Sequence, residues 1–173
     1  MNPQQFIETY SLAAQEAQKT TGVPASITLA QAALESGWGA HAPGNNFFGI
    51  KVGKNWTGNI QLIDTTECGH TGNAAKDGIF DEVVAIYPPG DPHHSPSCTS
   101  KYSYKVKSKF RAYYTPTESF ADHGNFLKNN PRYTACFETT NATDFASALQ
   151  KSGYSTATNY AEILMQIIHA HNL

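Results

Sequence analysis

One carboxylate in an apolar frame is the first place where chemistry could reside. Glu35 lies in Leu29-Ala-Gln-Ala-Ala-Leu-Glu-Ser-Gly-Trp-Gly39 and is the sole acidic residue between Glu16 and Asp64. Pro24 and Ser26 suit a helix start, and Ile27, Ala30, Ala33 and Leu34 recur at helical spacing. Gly37 supplies the left-handed residue that stops such a helix, so the pattern predicts one over 25–36. In its last turn Glu35 meets the partial negative charge of the helix carbonyl end, and Trp38 can screen it from water. Both effects disfavour ionisation. A carboxyl held protonated near neutral pH is what a general acid requires. The plain alternative is a solvated surface glutamate. Against it stand the flanks: Gly-Trp-Gly, then Asn45-Asn46 and Phe47-Phe48, with hardly any charge. That surface is unfavourable unless something binds there, which makes Trp38, Asn46 and Phe48 candidate substrate contacts.

The elements that must hold this carboxylate are mostly helical. Phe6, Tyr10, Ala13, Ala14 and Ala17 form the stripe of a first helix over 3–21, stopped by Gly22. Residues 40–55 read as loop. From Asn55 the pattern becomes alternation, with Ile60, Leu62 and Asp64 on one side of a strand, and Ile79–Tyr87 reads as another strand. Pro88–Pro96 is turn-rich and should be exposed. Helical signals then return. Thr115-Pro-Thr-Glu118 is a capping box opening a helix to about Lys128. Asn130 begins a short helix, Thr143-Asp144 caps another to about Ser152, and Thr158 starts the last, with Tyr160, Ile163, Leu164, Ile167 and Ile168 inward. Asp122 and His123 lack a suitably placed serine or cysteine nucleophile, so a structural hydrogen bond is expected of them.

Leu34-Glu-Ser-Gly-Trp-Gly39 together with Asn46-Phe-Phe-Gly-Ile-Lys51 resembles glycoside hydrolase family 73, N-acetylglucosaminidases that cut peptidoglycan. The resemblance places the family's general acid on Glu35. It continues in Trp56-Thr-Gly58 and Thr65-Thr-Glu67, which puts the second acid on Glu67, and in Phe110-Arg-Ala-Tyr113. Tyr154 and Tyr160 match the family's tyrosine-containing turn, although Ala157-Thr158 replaces the usual Asp-Pro. The implied fold class is α+β: one domain over 1–173, a mainly helical lysozyme-like body with a small β-hairpin lobe at about 55–109 flanking a cleft. The implied reaction is hydrolysis of the β-1,4 bond after N-acetylglucosamine. Glu35 would protonate the leaving oxygen and Tyr154 would help stabilise the site, with Trp56 and Tyr160 joining the substrate contacts. Glu67 would activate water on the opposite face, with inversion if the carboxylates stand about 6.5–9.5 Å apart. A wider gap calls for a mobile lobe or the substrate's own acetamido group. Residues 68–109 depart from the family pattern as a long insertion. Muramidase, lytic transglycosylase, phage endolysin and non-catalytic wall-binding readings stay open beside this one.

Composition narrows the partners. With 173 residues, 40% hydrophobic content and a net charge of −2, the chain can bury one core and has no basic footprint for nucleic acid. No run of about 18 apolar residues exists, so membrane insertion is not expected. Met1–Glu8 carries no basic and apolar signal-peptide pattern. Compact size and the extra loop resemble family 73 effectors made in the cytoplasm and delivered by type VI secretion into a rival's periplasm, which implies an immunity protein occluding the cleft. Of three cysteines, Cys68 and Cys98 bracket the unusual segment and are the preferred disulfide pair, leaving Cys136 as a small buried hydrophobe. His70, His93 and His94 match no standard zinc spacing, so neither metal nor cofactor is expected.

Overall fold

The Asn2 side chain accepts the Gln5 amide and the Gln5 side chain answers on the Asn2 amide, a reciprocal cap that starts α1 (Pro3–Thr21) before Gly22 closes it. The structure, a computed structural model, describes residues 1–99 and 101–173. It forms two compact units, Met1–Ile50 with Ala112–Leu173, and Lys51–Arg111. The class is α+β.

In the helical unit α2 (Ala25–Ser36) is buried on nearly every side. Ile27 and Ala30 join Leu127, Phe145, Leu149 and Leu164 in one apolar cluster, whereas Leu29, Ala32 and Ala33 join Phe6, Phe47 and Phe120 in a second. Burying Ile27 and Leu29 contributes roughly 1.5–3 kcal/mol each. α1 also packs on α3 (Pro116–Lys128). A side chain at Gly124 would collide with Thr21, so glycine is what lets these two helices approach. Thr115 accepts the Glu118 amide as expected, but the Glu118 carboxylate accepts from Tyr114 instead of closing the box on Thr115. A 3₁₀ segment (Pro131–Glu138), α4 (Ala142–Lys151) and α5 (Tyr160–His171) complete the unit. Two starts differ from expectation. Asn141, not Thr143-Asp144, caps α4 by accepting the Asp144 amide, and α5 begins after Asn159 rather than at Thr158.

The second unit carries β1 (Asn59–Gly69), β2 (Glu82–Tyr87) and β3 (Tyr102–Ala112) in the order β1-β3-β2. β2 runs antiparallel to β3, with Glu82 opposite Lys107, Tyr87 opposite Ser103 and a bulge between Val83 and Ala85. The sheet therefore exceeds the hairpin expected, because β3 went unforeseen. Its Tyr104, Val106 and Ser108 are buried while Lys105, Lys107 and Lys109 are exposed, a strict alternation. Ile60 and Leu62 do share a strand face, and it is the exposed one.

Candidate active site

Glu35 occupies the last turn of α2, where Gly37 at φ 57° ends the helix. The Tyr160 hydroxyl, reaching in from the first residue of α5, donates to Glu35 Oε1 at 3.0 Å. A phenol has one hydrogen, so the same oxygen can only accept from Gln31 Nε2, also at 3.0 Å. Gln31 lies one helical turn before Glu35, and its Oε1 has no hydrogen-bond partner among the described residues. Glu35 is exposed to solvent as a whole residue, yet partial desolvation of its carboxyl lifts it above the ordinary value, and the Tyr160 hydrogen bond only partly offsets this. With Oε1 engaged, Oε2 is the oxygen placed to carry and deliver a proton. Tyr154 stacks on Tyr160 at 5.5 Å and sits with its hydroxyl 3.5 Å from His123 Nε2. Burial first, then the neighbouring Glu35 charge, raises the Tyr154 phenol, keeping it neutral. Burial likewise holds the His123 imidazole down to about 3, so this histidine is uncharged.

Several expected contacts prove to be supports. Tyr160, with 2% exposure, positions Glu35 and offers a sugar no free surface. Asn46 is buried, and its amide bonds both the Ile50 amide and the Ile50 carbonyl, closing the turn between them. Phe48 is buried with its ring stacked on His123 at 3.8 Å. Trp38 packs edge-on against Phe6 and His171, and the aromatic side chain that bonds the acid is Tyr160. Trp38 takes φ 58° between Gly37 and Gly39 at φ 57° and 79°. Two flanking glycines let the chain double back here, and the Trp38 amide bonds Ala33 O at 2.8 Å. Asp122 accepts from Tyr113 at 2.7 Å, a structural hydrogen bond.

In the β unit Glu67 sits on the more covered face of β1, paired with Lys51 Nζ at 2.5 Å. Lys51 also stands 3.6 Å from Asp81, whose carboxylate accepts from Ser108. Lys51 ends the motif that carries the family resemblance, but sequence reasoning gave it no role. The Arg111 guanidinium lies 4.6 Å over the Trp56 ring, covering one of its faces. Cys68 and Cys98 are bonded, and Cys136 is a buried thiol. His93 stacks on Tyr87 beside Asp91, and the His94 ring bonds Lys101 O.

A helix-end carboxyl with a raised pKa is what a glycosidase acid requires, and the structure adds a buried tyrosine that bonds it and a glutamine that bonds the tyrosine. Comparison with known families decides its lineage: residues 11–173 match the glucosaminidase family, described as mannosyl-glycoprotein endo-beta-N-acetylglucosaminidase. The chain belongs to the glucosaminidase family. The family 73 resemblance of its motifs is thus borne out. Among glucosaminidase relatives, the peptidoglycan hydrolase FlgJ of Escherichia coli K12 is 36% identical over 170 residues, covering 94% of this chain and 45% of the relative. Exo-glucosaminidase LytG of Bacillus subtilis is 32% identical, covering 98% of this chain and 52% of its own. The chain thus spans about half the length of these curated relatives. The glycoside hydrolase domain of Salmonella typhimurium FlgJ has the same fold, with a TM-score of 0.70, 32% identity, and coverage of 99% of this chain and 89% of that one.

Proposed function

We propose that this chain is a peptidoglycan hydrolase that cleaves the β-1,4 bond after N-acetylglucosamine, cutting within glycan strands. The observation that carries this reading is Glu35, whose carboxyl is raised by desolvation and whose Oε1 is held by Tyr160. Glu35 protonates the leaving oxygen as the sugar acquires oxocarbenium character, and the neutral Tyr154 phenol lies beside the acid's support. Glu67 is the base for water, kept in its place by Lys51. Digestion of purified sacculi tests this. The intact chain should release fragments ending in reducing N-acetylglucosamine, and Glu35→Gln should lose at least about a hundredfold in rate, the low end for a general acid. Fragments ending in reducing N-acetylmuramic acid or anhydromuramic acid would replace this reading by a muramidase or a lytic transglycosylase. Release of single sugars from chain ends would make it an exo-enzyme.

The finer reading is an antibacterial effector delivered by type VI secretion, with a cognate immunity protein as its partner. The Cys68–Cys98 bond supports an oxidising working compartment such as the periplasm, and the insertion that contains it is a feature of this chain beyond the family motifs.

A further inference from the structure

The insertion after β1 is built to present one aromatic ring. Asp77 accepts from the His70 and Thr71 amides at 2.9 and 3.1 Å and from the Tyr104 hydroxyl at 2.5 Å, tying the segment to the central strand. The Ile79 amide bonds Ala74 O at 2.8 Å, closing the turn just before Phe80. Phe80 emerges from this fastened segment 90% exposed. It stands on the wall of a cavity of about 350 Å³ that it shares with Lys51, Glu67, Asp77 and Asp81, within the range of roughly 300–1,000 Å³ usual for small-ligand sites.

An exposed phenylalanine beside apolar neighbours would suit a protein partner. Here three carboxylates and a lysine outnumber the apolar neighbours, which are Ile79 and the disulfide-bonded Cys68. A pyranose ring fits that combination, since its C–H face lies against an aromatic ring while its hydroxyl rim bonds charged groups. We propose that Phe80 is a stacking platform for one sugar of the glycan strand, with Asp81 and Lys51 bonding that sugar's hydroxyls. The insertion thereby adds a substrate subsite beside Glu67. This rests on the peptidoglycan reading above.

The test uses the full chain in the non-cleaving Glu35→Gln background, with an N-acetylglucosamine tetramer titrated calorimetrically. Adding Phe80→Ala should weaken binding about tenfold, as loss of one stacked ring does, while Phe80→Trp should stay within about twofold. With Glu35 intact, Phe80→Ala should raise KM on sacculi by a similar factor and leave kcat within about twofold. Unaltered tetramer affinity in Phe80→Ala, with sacculi still cut by the parent chain, overturns the platform alone. A parent chain that leaves sacculi intact, while Glu35→Gln binds the tetramer in a Phe80-dependent way, overturns the hydrolase reading and keeps the platform. Failure of both measurements removes both.

Discussion

Tyr160 sets two opposed influences against each other at Glu35. Desolvation favours the neutral carboxyl, and the hydroxyl donated to Oε1 favours the ionised one. Removing that hydroxyl leaves desolvation unopposed, so Tyr160→Phe should move the alkaline limb of the pH–rate profile upward. It should also leave the buried Gln31 amide without its acceptor, at a loss of about 1–3 kcal/mol in stability. A limb that stays in place while stability falls would reduce Tyr160 to packing. The same titration has a stability consequence. Glu35's pKa is raised on folding above its ordinary 4.5, so its favourable contribution is full below that value and is lost as pH rises through the folded-state pKa. Thermal melts of Glu35→Gln should therefore lie above the parent at about pH 8 and draw level at about pH 4. Equal gaps at both pH values would show that Glu35 does not carry this strain.

Elements were readable where local chemistry decides them. α1 and α2 end where expected because Gly22 and Gly37 each take a left-handed conformation that other residues resist. The starts of α4 and α5 slipped because asparagines took the flanking positions that threonines were expected to hold. β3 has a signal, Tyr104, Val106 and Ser108 alternating with three lysines, but it lies largely inside the 68–109 insertion, where no family motif marks a strand. The Glu35–Tyr160 contact spans 125 residues, so the helical period that turns Tyr160 inward does not report its partner. For the same reason Asn46 and Phe48 were placed near the chemistry but given the wrong job. The β unit shows how an element can depend on a crosslink. Its fully buried side chains are few, chiefly Tyr104, Val106 and Ser108, so the bond from β1 to Cys98 has much to hold. Closing a loop of 30 residues is worth about 3.5 kcal/mol in the chain-entropy model. Reduction should accelerate amide exchange throughout Lys51–Arg111 and leave α2 and α5 protected. Uniform loosening of the chain, or none, would contradict this.

For the molecule as a whole, the proposed substrate and the disulfide favour the same compartment. A net charge of −2 gives no long-range attraction that would sort the chain onto one polymer, so on the proposed function selectivity rests on short-range contacts. On the proposed function those contacts act where peptidoglycan is, and the disulfide that supports the β unit forms where thiols oxidise. Both conditions hold in a periplasm and fail in the cytoplasm of the same cell. Expressed with an export signal in a Gram-negative host, the chain should lyse the culture, and the same chain without that signal should be harmless. Exported Glu35→Gln should be harmless as well, because an intact fold without its acid leaves the wall uncut. Exported Cys68→Ser should fall between, retaining the acid but loosening the unit that carries Glu67 and Lys51. Killing from the cytoplasm, or equal killing by Glu35→Gln, would mean that the toxic activity is not wall hydrolysis.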